Sequence, residues 1–156
     1  MSPPTPAQQL SSFLAKFDPR IAASARTALS RLRKKLPGAI EVVYDNYNAL
    51  AIAFGPSDRA SEAIFSIAVF PRWVSLFFLQ GAKLPDPDKV LKGSGTQVRH
   101  IVLTDLIILD QPAVKKLMAL ALKAAKKPLD PKQRRRLIIK SISAKQRPRR
   151  PDAANF

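Results

Sequence analysis

The spacing of apolar residues changes twice along this chain, and these changes constrain its fold more than any other feature of the sequence. Within Leu10–Leu36 apolar residues recur at helical spacing, with a break at Asp18-Pro19, a pair typical of a helix start. Within Ile40–Leu79 they alternate with a period of two, which indicates strands, and in Asp110–Lys127 the helical spacing returns. Helices on both sides of a run of strands predict an α+β fold.

The sequence predicts about five strands. Four lie in the alternating region, where the last two form a hairpin about Pro71-Arg72, and a fifth follows a glycine-rich loop. We therefore expect an antiparallel sheet with the helices packed on one of its faces. The predicted strands are Ile40–Tyr44, Ala49–Phe54, Ile64–Phe70, Trp73–Leu79 and Val98–Leu103.

The predicted hairpin has two faces of different character, because side chains alternate across a strand. Its second face mixes small residues with aromatic ones. That face is packed closely by a helix, is an ordinary half-exposed sheet face, or is left open as a concave patch for a ligand or for the second subunit of a homodimer, with Trp73 partly exposed. The first face is wholly apolar and is expected to lie under the helices; its residues are Phe65, Ile67, Val69, Val74, Leu76 and Phe78.

Positive charge is concentrated in the carboxyl-terminal part of the chain. Residues 1–110 hold 13 Lys and Arg against 9 Asp and Glu, a net charge of +4, whereas residues 111–156 hold 14 against 2, a net charge of +12. Such asymmetry predicts a globular body followed by a basic arm. The predicted divisions are a flexible leader (1–11), an α+β domain (12–127) and a basic, largely extended or disordered arm (128–156).

Within the arm, local composition favours different states for its two parts. Residues 137–143 are rich in β-branched side chains, which favours an extended conformation over the helix that Asp130-Pro131 could cap. Disorder is expected from Arg147 to Phe156, where arginine and proline dominate and apolar residues are few.

The arm is expected to bind a polyanion, nucleic acid above all, unless it serves only as a solubility tail. Cationic side chains contact phosphates without reading base sequence. Phe156 is the arm's only aromatic residue, so we do not expect it to stack on unpaired bases. The candidate phosphate contacts are Lys132, Arg134, Arg135, Arg136, Lys140, Lys145, Arg147, Arg149 and Arg150.

Two loops carry further candidate binding groups. Residues 44–48 crowd tyrosine, asparagine and aspartate side chains at a strand end, which forms either part of a ligand site or an Asx-rich turn. The glycine-rich loop at residues 92–95 is either an anion-binding nest or an ordinary flexible turn. The candidate ligand-binding residues are Tyr44, Asn46, Tyr47, Phe70, Trp73 and Ser75, and the candidate anion-binding residues are Lys92, Ser94, Arg99 and His100.

No catalytic or metal-binding pattern is visible in the sequence. The chain has no cysteine and one histidine, His100, and no serine or threonine lies in a recognisable nucleophile motif. We therefore expect a non-catalytic protein without a cofactor, with an enzyme of unrecognised chemistry as a third alternative.

The apolar stretch 63–79 is divided by Pro71-Arg72 into parts far shorter than the ~20 residues of a membrane span, and the N-terminus lacks a signal-peptide pattern. These features predict a cytoplasmic protein that does not enter a membrane.

The order of segments carries a family resemblance. A helix, Pro37-Gly38, the strand Glu41–Tyr44, a hairpin, the loop Lys92–Gly95 with Arg99-His100 after it, and a helix opened by Asp110 follow one another. This order resembles the YdhG-like family of uncharacterised bacterial domains over residues 12–127. The resemblance implies an α+β fold similar to secretion chaperones, with helices against one face of a curved antiparallel sheet.

The same resemblance implies an alternative function. One branch of the family is linked to frataxin-like iron chaperoning, so the alternative is a small-ligand or metal-binding domain that uses the open sheet face. Iron prefers clustered carboxylate ligands. Only Asp86 with Asp88 and Asp58 with Glu62 lie close together in this part of the sequence. Binding of a polyanion by the arm therefore remains the leading prediction.

Overall fold

The computed structural model of the protein describes residues 2–151, which have the expected α+β fold with three α-helices and one six-stranded sheet. The helices are α1 (Pro6–Ala15), α2 (Pro19–Lys35) and α3 (Pro112–Ala124); the strands are β1 (Ile40–Asp45), β2 (Leu50–Gly55), β3 (Phe65–Val69), β4 (Val74–Phe78), β5 (Arg99–Val102) and β6 (Leu137–Ile142). The order across the sheet is β5-β4-β3-β2-β1-β6. All neighbouring pairs are antiparallel except β1 and β6, which are parallel.

The first two helices begin at side-chain caps that the local sequence provides. The Asp18 carboxylate accepts a hydrogen bond from the Arg20 backbone N–H (2.9 Å), as expected for a cap ahead of proline. Thr5 and Gln8 form a reciprocal capping box at the start of α1. Helix α1 therefore begins at Pro6, within the stretch for which the sequence predicts a flexible leader. No helix in residues 2–151 combines the length and the apolar character needed to cross a membrane.

The main core lies between the helices and one face of the sheet. All six residues of the predicted apolar hairpin face are buried there, none with more than 2% of its surface exposed, which confirms the assignment of the faces. Leu50, Ile52 and Phe54 of β2 continue the same face. The opposite face has a small cluster of its own around Ile40, Val42 and Ala53.

The sixth strand extends the predicted sheet of about five antiparallel strands and makes it mixed. β6 forms from the segment whose β-branched residues favour an extended conformation, and it lies beside β1 at the sheet edge. Leu137 and Ile139 pack against the main core, while Ile138 joins the small cluster on the other face. These apolar side chains point inward, which favours docking of the strand against β1.

The pairing register places two hairpin turns at the same end of the sheet. Leu50 of β2 pairs with Asp45 of β1 and with Val69 of β3, so these residues form a row across the sheet. The turns that follow this row, residues 46–49 and 70–73, therefore lie side by side. We call this the turn end of the sheet. Because β6 is parallel to β1, the chain leaving β6 also arrives there.

Candidate nucleic-acid interface

The C-terminal segment, residues 128–151, follows β1 along its whole length. The Glu41 N–H donates to the Arg136 carbonyl oxygen at 2.9 Å, just before β6 begins. The Ser143 N–H donates to the Asp45 carbonyl oxygen at 2.8 Å, just after β6 ends, and the Arg147 N–H donates to the Tyr47 carbonyl oxygen at 2.9 Å. The segment is therefore tied to the sheet by backbone hydrogen bonds on both sides of the strand.

A buried glutamate fixes the start of β6. Glu41 is 2% exposed and lies on the helix-facing side of β1. Arg33 of α2 donates to its carboxylate from Nε (3.0 and 3.1 Å) and from Nη2 (2.8 Å), and Arg135 donates from Nη2 at 2.9 Å. A buried carboxylate is costly without a cationic partner, so the contacts of Glu41 with both arginines stabilise the fold. Together they join α2, β1 and the C-terminal segment.

A second buried ion pair fixes the chain after β6. Arg149 Nη2 donates to Asp45 Oδ1 at 2.8 Å, and the two side chains are 4% and 1% exposed. The same Nη2 donates to the Asn46 carbonyl oxygen at 2.6 Å, and the guanidinium carbon lies 5.6 Å from the centre of the Phe17 ring. Asp45 Oδ2 and Arg149 Nε have no hydrogen-bond partner among residues 2–151. The pair is therefore deeply buried but incompletely satisfied.

These contacts differ from the disorder that the sequence predicts from Arg147 onward. Arg149 is buried, and Arg150 Nε donates to the Lys16 carbonyl oxygen (3.2 Å) just past the end of α1, where the helix dipole favours a cation. This part of the chain is held in place because the buried Asp45 carboxylate requires a positively charged partner. Residues 152–156 of the predicted disordered tail lie outside the described residues.

The structure thus divides the nine predicted phosphate contacts into two groups. Three bind acceptors of the protein itself: Arg135, Arg149 and Arg150. The other six are exposed and form no ion pair with a carboxylate of residues 2–151; we call them the edge cations: Lys132, Arg134, Arg136, Lys140, Lys145 and Arg147.

The predicted ligand-binding residues divide between the turn end and the open sheet face. Asn46, Tyr47, Phe70 and Trp73 lie in or beside the two hairpin turns, and the Phe70 and Trp73 rings are stacked at 4.7 Å between centres. Tyr44 lies half-buried on β1. Ser75 is buried, and its hydroxyl has no hydrogen-bond partner among the described residues.

The predicted anion-binding residues come together, but the arginine binds the loop itself. Lys92 and His100 exchange backbone hydrogen bonds of 2.8 and 2.9 Å. Arg99 Nη1 donates to the carbonyl oxygens of Gly95 (2.6 Å) and Val98 (2.8 Å), so this guanidinium stabilises the loop. The His100 ring stacks on Phe77 at 5.2 Å, and Ser94 is exposed nearby in the chain. The arrangement is typical of a braced turn rather than an open anion nest.

A cleft of about 470 Å³ lies at the end of the sheet opposite the turns, and sequence reasoning missed it. Within it Lys127 Nζ lies 3.5 Å from Glu62 Oε2, and the Ser57 hydroxyl donates to Glu62 at 2.6 Å. The Ser57 hydrogen bond, with Lys127 nearby, holds the pKa of the Glu62 carboxyl below its usual value. No local pattern signals this cleft, because its walls come from four separate segments: residues 61–64, 80–84, Gln97 and 121–127.

One member of each acidic pair considered as iron ligands is engaged in other contacts. Both carboxylate oxygens of Asp86 accept backbone N–H groups, from Val90 and Leu91 at 2.9 Å each. Glu62 binds Ser57 and Lys127 in the cleft. Within residues 2–151 no three His, Cys, Asp or Glu side chains form a group that could hold a metal ion. No observation in this part of the chain therefore favours the metal-binding alternative.

No protein-family model, curated protein or solved structure matches this chain. The resemblance to the YdhG-like family therefore stays a prediction.

Proposed function

We propose that this protein binds nucleic acid, without catalysing a reaction on it, through phosphate contacts from the edge cations. One observation carries the proposal: three arginines of the C-terminal segment suffice to bind the acceptors of the fold, yet six more cations of the same segment stay exposed. Groups that are not needed to hold the strand in place remain free to contact a polyanion.

The placement of the edge cations suits an extended polyanion. Three precede β6, Lys140 lies within it at the register shift, and two follow it. The six residues of β6 span roughly 17 Å at about 3.3 Å per step, and a nucleic-acid strand with one phosphate per roughly 3.4 Å passes about five phosphates over that length. Lys140 is the only edge cation within that span, so a strand that contacts all six must extend past both ends of β6.

Docking of β6 makes phosphate binding by the edge cations more favourable than binding by a free tail. A disordered arm loses conformational entropy when it is ordered on a ligand, whereas a strand already held by the Glu41 and Asp45 ion pairs has lost it during folding. Lysine and arginine on an edge strand also prevent edge-to-edge association, which is the competing explanation for their presence.

The proposal includes two finer points. The fold is of the YdhG-like type, supported by helices that pack on one face of an open sheet. The proposed location of the protein is the cytoplasm, a compartment that contains nucleic acid.

The salt dependence of binding tests the proposed function. If six edge cations contact phosphates, log K for a duplex DNA of arbitrary sequence should fall with log salt at a slope of roughly −5, and two duplexes of unrelated sequence should bind alike. Fluorescence anisotropy of a labelled duplex in increasing KCl measures both. No saturable binding at low salt, or a slope shallower than about −2, would contradict the proposal.

A further inference from the structure

Two exposed aromatic side chains lie at the turn end of the sheet. Tyr47, in the β1–β2 turn, is 49% exposed, and Trp73, the last residue of the β3–β4 turn, is 43% exposed. The two turns are centred two strand spacings apart, roughly 10 Å. Phe70 lies against Trp73 with an interplanar angle of 19°, so the indole is held flat on a second ring. Apolar ring faces that a fold leaves in solvent and braces from below are typical of contact sites.

Cations accompany both rings. The Arg147 guanidinium carbon lies 5.7 Å from the centre of the Tyr47 ring, and the Arg147 backbone is hydrogen-bonded to Tyr47. Arg72 precedes Trp73 in its turn and is exposed. Asp45, at the base of the β1–β2 turn, is buried and bound to Arg149, so its charge is compensated. We call the set Tyr47, Phe70, Arg72, Trp73 and Arg147 the turn surface.

From this surface we propose that the preferred ligand is single-stranded nucleic acid, whose unpaired bases stack on Tyr47 and Trp73 while its phosphates run to the edge cations. Every base has a π face, so such stacking needs no particular sequence. In a duplex the base faces are hidden by their neighbours, and the rings have nothing to stack on. Phe156 is the arm's only aromatic residue, and the fold supplies Tyr47 and Trp73 from two hairpins. The inference rests on the proposed function, because it assumes that the edge cations bind phosphates.

The single tryptophan of the chain makes the test direct. Unlabelled (dT)12 and a 12-base-pair duplex are titrated separately into the full-length protein at low salt while the emission of Trp73 is followed. We expect strong quenching by (dT)12, little by the duplex, and affinity for (dT)12 at least about tenfold higher, since one stacked base is worth about that factor. Anisotropy of labelled (dT)12 then measures Tyr47→Ala and Trp73→Ala, each expected to weaken binding roughly five- to a hundredfold.

A matched control and the salt dependence separate stacking from other causes. Ile107→Ala removes an exposed apolar side chain outside the turn surface and should leave binding of (dT)12 unchanged. Because the edge cations are intact, both aromatic variants should keep the slope of log K against log salt and melt like the unaltered protein.

Each other outcome overturns the inference in a distinguishable way. Equal binding of (dT)12 and duplex, unchanged in both aromatic variants, would mean that phosphates are bound but bases are not stacked. No binding of either ligand would overturn the proposed function as well. Protection of Trp73 from acrylamide in ligand-free protein, together with a dimeric mass in solution, would assign the turn surface to self-association.

Discussion

Deletion of residues 128–151 together with the five residues that follow should unfold the domain. The deletion removes β6 and its apolar side chains from the core, and it leaves Asp45 buried without Arg149 and Glu41 without one of its two arginines. An unpaired buried charge alone costs about 3–5 kcal/mol, and the total stability of a typical domain is about 5–15 kcal/mol. We therefore expect circular dichroism of the shortened chain to show no cooperative thermal transition.

The charge pattern alone predicts the opposite result, because it indicates a basic arm after Lys127 that is dispensable for folding. A shortened chain that melts within a few degrees of the full-length protein would contradict the structural role of β6. It would also show that β1 can form the sheet edge with Asp45 unpaired and Glu41 bound to Arg33 alone.

Replacement of Arg149 by methionine should lower the free energy of unfolding by about 3–5 kcal/mol, because it leaves the Asp45 carboxylate uncompensated in the interior. Urea unfolding measures the change. Arg150→Met is the matched control: Arg150 is exposed and contacts only carbonyl oxygens at the end of α1, so its replacement should cost less than about 1 kcal/mol.

The double variant Asp45→Leu with Arg149→Met identifies the cause of that loss. Replacing both members of a buried ion pair by apolar residues is often close to neutral, and here one nitrogen and one oxygen of the pair already lack hydrogen-bond partners. The double variant should therefore be more stable than Arg149→Met alone. A single variant within about 0.5 kcal/mol of the original protein would show that the charge of Asp45 is not buried in solution.

The parts of the fold that were predictable from the sequence are those specified by neighbouring residues. The alternation within β3 and β4 assigned every residue of the core-facing hairpin side correctly, because a period of two leaves no other arrangement when one face is wholly apolar. Proline after Asp18 likewise marked the start of α2. The capping box at Thr5 is an equally local signal, and it places α1 earlier than apolar spacing alone suggests.

The parallel pairing of β6 and the division of the basic residues were not predictable in this way. Arg134, Arg135 and Arg136 are adjacent and chemically alike, yet only Arg135 binds Glu41, which lies 94 residues away. Which of the three points inward depends on the register between β6 and β1, a long-range property with no local signal. The ion pair of Arg149 with Asp45 spans 104 residues and escapes local reasoning for the same reason.

The turn surface, too, was not predictable as a single site from the sequence. The sequence marks Tyr47, Phe70 and Trp73 as candidate ligand contacts and Arg147 as a candidate phosphate contact, in separate sets. The pairing of β2 with β3 and the path of the chain after β6 bring them to one end of the sheet. Their combination into one surface follows from topology, which periodicity and composition do not specify.

As proposed above, one basic segment holds the fold together with some of its cations and binds nucleic acid with the others. Two triple variants with the same change in net charge separate these two roles. The first, Arg134→Gln with Arg136→Gln and Lys140→Gln, removes three edge cations; the second, Lys115→Gln with Lys116→Gln and Lys123→Gln, removes three exposed cations of α3. Both should unfold at nearly the same urea concentration as the original protein.

The decisive measurement is the slope of log K against log KCl for a labelled duplex, taken on the original protein and on both variants by anisotropy. We expect a slope shallower by about three for the β6 variant and an unchanged slope for the α3 variant. Equal slopes and affinities in the two variants would contradict it, because binding would then depend on net charge alone and not on the cations that β6 presents.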